Sequence, residues 1–280
     1  MAGRLEKRFP EKRILITGAG SGLGKALALR FAREGWRIAL AEKDAGRIPE
    51  VEKLVREAGG DPIGIACDVS RPADLMQAAE KITAAWVGLD ILVNNAGIAN
   101  AGFIEKVTEA EWSRIISINL MGAVNACRAF LPMMKNARRG HLINVASYAG
   151  IFSIPEMGSY NATKAAIISM SETLRVELST FNVGVTVVCP SFINTNLMES
   201  FASPDERQRK LAQKMFSNAK TTPEQYANQV YNAAAKNRLY AIVGLDSKVL
   251  WILKRLAPET FYKFFARGYG MTVRRKTPSP

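Results

Sequence analysis

The sequence predicts an α/β protein: a doubly wound parallel sheet of seven strands flanked by helices, in a single domain with a C-terminal helical extension. Short apolar runs alternate with helical patterns of ten or more residues along the 280-residue chain. Strands joined by crossovers of that length lie parallel, and runs that are apolar throughout fit strands buried on both faces. Most runs are followed by glycine or polar residues, where such a sheet places its ligands.

Each element is predicted from its own pattern. Apolar runs bounded by glycine or polar residues indicate strands, and apolar residues that recur every three or four positions indicate helices. Gly35 ends the first helical pattern, and Pro72 opens the third. In chain order the sequence predicts strand 13–17, helix 23–34, strand 36–41, helix 47–58, strand 62–67, helix 72–86, strand 89–93, helix 108–134 in one or two pieces, strand 140–145, helix 159–181, strand 183–188, helices 203–216 and 223–235, and strand 239–243.

The composition is that of a folded globular protein, with 48% hydrophobic and 22% charged residues. It argues against disordered, collagen-like and disulfide-scaffold proteins. No unbroken apolar run approaches the roughly 18 residues of a membrane-spanning helix, and the N-terminus lacks the apolar core of a secretory signal. Cys67, Cys127 and Cys189 are expected to be buried, reduced thiols of a cytoplasmic protein. The single histidine, His141, argues against a multi-histidine metal site and a histidine-based triad, so no metal is predicted.

The formal net charge of +13 is concentrated at the two ends of the chain. From Arg238 onward there are nine Lys or Arg against two acidic residues, and the first 13 residues hold five basic and two acidic groups. Such an excess indicates an anionic partner, whether nucleic acid, a membrane surface or a phosphorylated ligand. No nucleic-acid recognition motif accompanies the charge, so no nucleic-acid partner is predicted.

A glycine-rich segment follows the first strand. Gly18, Gly22 and Gly24 are spaced GxxxGxG between a strand and a helix. Glycines there permit a tight turn and let a pyrophosphate approach the N–H groups at the start of the helix. An ordinary strand–helix turn is the alternative, and the position of the segment favours the phosphate site.

Charged and amide side chains follow the next three strands. Glu42 stands where a carboxylate would accept both hydroxyls of the adenosine ribose of NAD and repel the 2′-phosphate of NADP. Lys43 would have the opposite effect by pairing with that phosphate, and both charges would also suit a solvated loop. Asp68 is a candidate acceptor for an adenine amino group. Asn95 belongs either to the nucleotide site or to a turn in which it bonds the backbone.

Ser147, Tyr160 and Lys164 form the candidate catalytic group. Ser147 follows the fifth strand, and Tyr160 and Lys164 lie one turn apart on one face of the next long helix. A phenol has an ordinary pKa near 10, and a nearby ammonium lowers it by favouring the phenolate. The phenol would then exchange a proton with an alcohol or ketone while a nicotinamide exchanges the hydride.

Together these residues resemble the short-chain dehydrogenase/reductase superfamily over about residues 13–195. The resemblance rests on TGxxxGxG at 17–24, NNAG at 94–97, Asn119, Ser147 and YxxxK at 160–164. It implies a seven-stranded Rossmann-type sheet that binds NAD(P).

The resemblance also implies a role for each matching residue. Tyr160 would be the general acid/base, Lys164 would lower its pKa and bind the nicotinamide ribose, and Ser147 would orient the substrate oxygen. Asn119 would hold a water that passes protons to Lys164. The expected cofactor-binding residues are Gly18, Ser21, Gly22, Leu23 and Gly24 at the pyrophosphate, Glu42, Lys43, Asp68, Val69, Asn95, Ala96 and Gly97 on the adenosine side, and Pro190, Ile193 and Thr195 near the carboxamide and phosphates.

Two departures bear on the loop and the cofactor. Ser191 replaces the glycine usual in the family, which leaves the conformation of the 190–195 loop open. Ser21 stands where NADP-preferring members often carry Lys or Arg, so with Glu42 it favours NAD over NADP.

The resemblance divides the chain into an NAD(P)-binding catalytic domain, 1–245, with a substrate lid around 191–236, and a basic amphipathic extension, 246–280. An apolar lid indicates a hydrophobic, steroid-, retinoid- or lipid-like substrate, with packed helix faces as the alternative; its apolar residues are Met198, Phe201, Met215 and Phe216. Apolar residues interleaved with cations in the extension fit either peripheral membrane contact or docking on protein.

The leading hypothesis is therefore an NAD(P)-dependent oxidoreductase that interconverts a secondary alcohol and a ketone. A reductase of another activated double bond and a non-catalytic nucleotide-binding sensor are the alternatives, and the intact Ser147, Tyr160 and Lys164 argue against the sensor. Helices 108–134 and 159–181 pair across a two-fold axis in the family, so a homodimer or homotetramer is expected, located in the cytoplasm or peripherally at a membrane surface.

Overall fold

A seven-stranded sheet in which every strand pair is parallel forms the centre of the molecule. The computed structural model describes residues 4–274 apart from 192, 194–200, 204, 218, 220 and 244. The strand order is β3-β2-β1-β4-β5-β6-β7. The strands are β1 Arg13–Thr17, β2 Arg37–Glu42, β3 Asp61–Ala66, β4 Ile91–Asn94, β5 Gly140–Val145, β6 Val183–Cys189 and β7 Tyr240–Ile242. The predicted doubly wound sheet is confirmed.

Helices cover both faces of the sheet because its strands are apolar on both sides. One layer packs Leu27, Phe31 and Val55 with the buried face of the helix that carries Tyr226, and the other is centred on Ile82 and Phe130. The helices are α1 Arg4–Arg8, α2 Gly22–Ala32, α3 Ile48–Glu57, α4 Pro72–Trp86, α5 Glu109–Ile116, α6 Gly122–Asn136, α7 Tyr148–Phe152, α8 Gly158–Glu177, α9 Glu206–Ser217, α10 Pro223–Ala235, α11 Leu245–Leu256 and α12 Pro258–Arg274.

The strand order reverses between β1 and β4, and this reversal positions the site. From β1 the chain builds outward through β2 and β3, and from β4 it builds outward in the opposite direction. Helices on the two sides therefore diverge beyond the carboxyl ends of β1 and β4 and leave a crevice there.

Three features of the helices differ from the predicted pattern. The long helix of the middle region is continuous but contains a π-helical turn, Ser117–Met121, between α5 and α6. The five-residue helix α7 is too short and too uniformly apolar to show a helical period. The C-terminal extension forms two helices, because Pro258 cannot continue α11 and instead begins α12.

A buried ion pair fixes the amino ends of the two central strands. Asp90 precedes β4 and accepts hydrogen bonds from the backbone N–H, Nε and NH2 of Arg13 at 3.0, 3.1 and 3.0 Å. The Asp90 side chain is only 1% exposed. This pair holds β1 beside β4 at the amino ends of the strands, on the opposite side of the sheet from the crevice.

Within the described residues, one helical stretch, Glu109–Asn136, is long and apolar enough to cross a bilayer by length and composition. Half of its apolar window is buried inside the protein, where α6 packs against the sheet. A core helix of a globular domain passes the same test, so the stretch is weak evidence for a membrane span.

Candidate active site

The crevice beyond the strand ends is a cleft of about 720 Å³. Its walls bring together residues from the ends of β1, β2, β3, β4, β5 and β6. The predicted residues that line it are Gly18, Ser21, Gly22, Leu23, Glu42, Lys43, Asp68, Val69, Asn95, Ala96, Gly97, Ser147, Tyr160, Lys164, Pro190 and Ile193. Thr195 lies outside the described residues.

The glycine-rich loop is packed too closely for side chains. Gly18 has a left-handed backbone (φ +62°), and a Cβ there would lie 2.9 Å from Ala96 Cα. A Cβ on Gly24 would lie 2.1 Å from the Gly18 carbonyl oxygen. Gly24 is therefore a packing residue behind the cleft rather than part of its wall, whereas Gly18 and Gly22 line the cleft directly.

The N-terminus of α2 faces the cleft with its N–H groups uncapped by a side chain. Ser21 occupies the N-cap position but makes no side-chain capping hydrogen bond. Uncapped N–H groups and the positive end of the helix dipole together favour an anionic group such as a pyrophosphate.

Asn95 fastens the segment after β4 to the segment after β1. Its Nδ2 donates to the carbonyl oxygens of Thr17 (2.9 Å) and Gly18 (3.1 Å). The Thr17 hydroxyl in turn accepts hydrogen bonds from the backbone N–H groups of Asn95 and Ala96, both at 3.0 Å. Of the two interpretations of Asn95, its side-chain bonds support the turn residue, although the residue also lines the cleft. Thr17 is the first residue of the TGxxxGxG motif, but this bridging role was not predicted for it.

Glu42 and Lys43 turn to different partners at the adenosine end. The Glu42 carboxylate accepts from the backbone N–H of Gly20 (2.9 Å) and of Asp44 (3.1 Å), so it lies against the glycine loop. Lys43 pairs with Asp68 at 2.7 Å. Burial acts to raise the pKa of Asp68, but hydrogen bonds from Lys43 and Ser70 and the lysine charge hold it below its usual range.

The structure brings Ser147, Tyr160 and Lys164 together at the other end of the cleft. Ser147 is the N-cap of α7 and accepts from the N–H of Ala149 at 3.1 Å. Lys164 Nζ lies 5.8 Å from the centre of the Tyr160 ring and donates to the Val145 carbonyl at 3.0 Å. Tyr160 is 7% and Lys164 4% exposed, so this end is largely shielded from water.

The pKa of Tyr160 differs in direction from the prediction. Burial raises the pKa of the phenol, and the hydrogen bond from Ser147 offsets this only in part. Burial lowers the pKa of Lys164 to about 8, against a smaller opposing effect of Cys189.

Asn119 lies behind the cleft, in the π-helical turn. Its Oδ1 accepts from the Ile98 N–H at 2.8 Å, and its Nδ2 donates to the Ile98 carbonyl at 2.9 Å and to the Thr163 hydroxyl at 3.2 Å. A Cβ on Gly97 would lie 3.1 Å from Asn119 Oδ1 and 3.3 Å from Lys164 Nζ. Asn119 thus positions the segment after β4 close to the Lys164 ammonium.

The loop after β6 is held by α10, and the apolar residues predicted for the lid differ in how far they are buried. Ser191, where the family usually has glycine, is held by Tyr226 of α10, whose hydroxyl lies 3.1 Å from the Ser191 nitrogen and 2.7 Å from its Oγ. Phe201 is buried in a cluster with Tyr160, while Met215 is 41% exposed. Met198 and the side chain of Phe216 lie outside the described part of the chain.

Sequence reasoning missed several residues that line the cleft. Arg47 stands at the adenosine end, and Arg114, Tyr148, Ile154 and Met157 stand at the Tyr160 end. Tyr148 directly follows Ser147 in the sequence, but none of these five residues belongs to a recognised motif, and only the fold shows that they line the cleft.

The cleft fits a nicotinamide dinucleotide. A glycine loop and an uncapped helix N-terminus lie midway along it, a carboxylate lies at one end, and a buried Tyr–Lys pair lies at the other. A Cβ on Gly20 would lie 2.8 Å from Glu42 Oε2, so a side chain at this position would collide with the carboxylate. Among the described residues there is no cluster of three potential metal ligands.

Comparison with known proteins gives consistent results. The short chain dehydrogenase family profile matches residues 12–206. A 3-oxoacyl-[acyl-carrier-protein] reductase, FabG, of Thermotoga maritima is 32% identical over 85% of this chain and 98% of its own. A short chain dehydrogenase/reductase from Burkholderia phymatum, solved in complex with NAD, is 30% identical with a TM-score of 0.85, covering 90% of this chain and 96% of that one.

One group of relatives is longer than this chain. The "Probable oxidoreductase EphD" of Mycobacterium tuberculosis is 32% identical over 92% of this chain, but the match covers only 45% of EphD. Similar solved structures carry NAD, NADH or NADP. The family profile covers more than half of the chain, and the Thermotoga maritima relative matches over almost its whole length, so the chain belongs to the short chain dehydrogenase family.

Proposed function

We propose that the protein interconverts a secondary alcohol and a ketone on a hydrophobic substrate, with NAD as the favoured nicotinamide cofactor. The observation that carries the proposal is the placement of Ser147, Tyr160 and Lys164 at one end of a cleft whose other end holds Glu42. In this proposal residues 1–245 form the catalytic domain and 246–280 an extension of it.

The bound nicotinamide supplies or accepts the hydride. Tyr160 Oη exchanges the proton with the substrate oxygen, and the Ser147 hydroxyl orients that oxygen by a hydrogen bond. Lys164 would stabilise negative charge that develops at the phenol and would hold the nicotinamide ribose. Asn119 holds the segment after β4 beside Lys164 and supports proton transfer to it.

The substrate side of the cleft supports a hydrophobic substrate. Ile98, Ile118, Ile154 and Met157 line this end, and Phe201 is buried beside Tyr160. An apolar wall binds alkyl or ring carbon by excluding water from it. The name of the Thermotoga maritima relative, a 3-oxoacyl reductase, also describes a ketone on an acyl chain.

The test is to incubate the protein with NADH and each of a panel of ketones. Oxidation of NADH is measured as the loss of absorbance at the NADH band. We expect turnover with medium-chain, cyclic or polycyclic ketones, and lower KM as apolar size increases. Turnover limited to activated C=C bonds would contradict the proposal, as would nucleotide binding without turnover of any of these substrates.

Cofactor preference should depend on the charge of Glu42. Glu42→Gln keeps the size and one acceptor for the Gly20 N–H but removes the charge that repels a 2′-phosphate. We expect the ratio of kcat/KM for NAD over NADP to fall by about tenfold, a change of about 1.4 kcal/mol. Lys43→Gln is the matched control, since Lys43 is paired with Asp68. A wild-type preference for NADP that Lys43→Gln removes would contradict the assignment.

The exposed apolar surface of the extension is proposed to contact anionic membranes. Leu253 is 50%, Leu256 78% and Phe264 66% exposed, and cations such as Arg255 and Arg267 are exposed on the same two helices. Leu256→Glu combined with Phe264→Glu should abolish low-salt sedimentation with phosphatidylserine vesicles. Equal sedimentation of wild type and variant would sink this proposal.

We also propose a homodimer or homotetramer built on the long helices. Ile116, Met121 and Val176 on or beside α5, α6 and α8 are large apolar side chains exposed by 37, 41 and 74%. A second copy would cover them. Light scattering behind size exclusion measures the mass, and a monomer at micromolar concentration would contradict the assembly.

A further inference from the structure

The chain between Ser147 and Tyr160 forms the substrate-side wall of the cleft. It comprises α7 and residues 153–157, and Ile154 and Met157 from it line the cleft. Glu156 has a left-handed backbone (φ 62°), and its carbonyl accepts a 2.6 Å hydrogen bond from Gly102. A non-glycine residue keeps that conformation only where its surroundings hold it.

The side chain of Glu156 joins this wall to two other segments. Its Oε1 accepts a hydrogen bond from the Tyr269 hydroxyl of α12 at 2.6 Å. Its Oε2 accepts from Arg207 NH2 at 2.6 Å and from the amide of Gln208, both on α9. The Glu156 side chain is 9% exposed and that of Arg207 is 43% exposed, so the carboxylate is largely covered while the guanidinium still reaches water.

The Glu156 carboxylate is held in its charged form. Burial acts to raise its pKa, but hydrogen bonds from Tyr269, Gln208 and Arg207 outweigh burial and keep the pKa below its usual range. A shielded carboxylate with three donors, one of them a guanidinium, forms stronger hydrogen bonds than a neutral group would.

Helix α9 contributes to the apolar packing around Tyr160. Ala212 of α9 packs against the apolar cluster that contains Tyr160 and Phe201. Gln208 is itself buried, and its Oε1 accepts from the Ser203 hydroxyl at 2.8 Å. Glu156 therefore holds the start of the helix that packs against the apolar cluster around Tyr160.

The C-terminal helices α11 and α12 donate hydrogen bonds to α7, which is part of the same wall. Lys254 of α11 donates to the Ile151 carbonyl, and the Tyr262 hydroxyl of α12 donates to the Phe152 carbonyl at 3.1 Å. These two carbonyls end α7 and have no partner within so short a helix. The ring of Phe261 lies 5.7 Å from that of Phe152.

We propose that Glu156 is a positioning residue whose carboxylate holds α9 and α12 against the substrate-side wall, so that the C-terminal extension shapes the site around Tyr160. The kinetic part of this proposal rests on the proposed ketone reduction. The structural part, that Glu156 keeps α9 closed, does not depend on the substrate.

The experiment compares Glu156→Gln with wild type by kinetics, NADH affinity and limited trypsin digestion. Glutamine keeps the size but loses the charge and cannot accept from all three donors. Loss of charge-assisted bonds of this kind should change the equilibrium constant between the packed and the detached position of α9 by roughly tenfold to hundredfold. We expect about a tenfold increase in the KM for ketone, with kcat and the Kd for NADH within about threefold. Cleavage after Arg209, Lys210 and Lys214 of α9 should accelerate by about tenfold.

Two further variants make the result specific. Glu259→Gln removes an exposed carboxylate of α12 and should match wild type in every measurement. Tyr269→Phe removes only the donor from α12 and should give a smaller change of the same kind. Because both changes act on one network, the double variant Glu156→Gln/Tyr269→Phe should change KM and cleavage by less than the product of the two single changes.

The outcomes separate this proposal from the proposed function. Unchanged KM and unchanged α9 cleavage in Glu156→Gln would overturn it, and so would a parallel loss of Tm, kcat and NADH affinity. If wild type reduces no ketone, the proposed function fails, and faster α9 cleavage in Glu156→Gln but not in Glu259→Gln still supports the positioning role.

Discussion

Tyr160→Phe should lower kcat for ketone reduction by about 10²- to 10⁴-fold, because it removes the phenol hydroxyl that is hydrogen-bonded to Ser147 and is proposed to transfer the proton. The ring stays, and with it the packing of the buried cluster around residue 160. The Kd for NADH should therefore change by no more than about threefold. Stopped-flow kinetics and fluorescence titration with NADH measure the two quantities separately.

Tyr148→Phe is the matched control for this change. Tyr148 also lines the cleft, but it lies on α7, directly after Ser147. Tyr160, by contrast, lies on α8 one turn before Lys164. We expect it to keep kcat within about threefold of wild type. If Tyr160→Phe retains more than about a tenth of the wild-type kcat, another group transfers the proton.

Asp90→Asn should reduce the free energy of unfolding by about 3–5 kcal/mol, because it leaves the buried Arg13 guanidinium without its counter-charge. Arg13 also donates to the Trp86 carbonyl at 2.9 Å, and that single bond does not replace the lost pair. For a chain of this size the expected loss corresponds to a decrease in Tm of roughly 10 °C.

Asp61→Asn serves as the control for Asp90. Asp61 is an exposed carboxylate at the start of β3, and its replacement should change the free energy of unfolding by less than about 0.5 kcal/mol. Urea denaturation of the three proteins gives the comparison. Equal stability of wild type and Asp90→Asn would contradict this expectation and would mean that the cost of burying the Asp90 carboxylate cancels its attraction to Arg13.

The strands and most of the longer helices could be predicted because their patterns are local. An apolar run such as 140–145 contains within itself the signal for a strand buried on both faces. The glycine loop and the Tyr160–Lys164 pair are likewise local, since each lies within one turn or one loop. For this reason the sequence already indicated the sheet, both ends of the cleft and the cofactor class.

Other features have no local signal. The π-helical turn that presents Asn119 interrupts a pattern that reads as one continuous helix. Burial, which raises the pKa of Tyr160, depends on Phe201 and Ala149 packing around it from distant segments. Asn95 also has no local signal that distinguishes a nucleotide-binding residue from a turn residue. The distinction depends on the bonds of its amide to Thr17 and Gly18, which are far away in the sequence.

By itself the sequence determined the strands, the longer helices, the glycine loop and the spacing of the Tyr160 phenol and the Lys164 ammonium. These depend on residues within a few positions of one another, whose periodicity and conformational limits act in any context. Only the tertiary structure decided that Glu156 meets Arg207, Gln208 and Tyr269, which lie 51, 52 and 113 residues away. Contacts over such separations arise from the packing of whole elements, and no short segment of sequence carries that information.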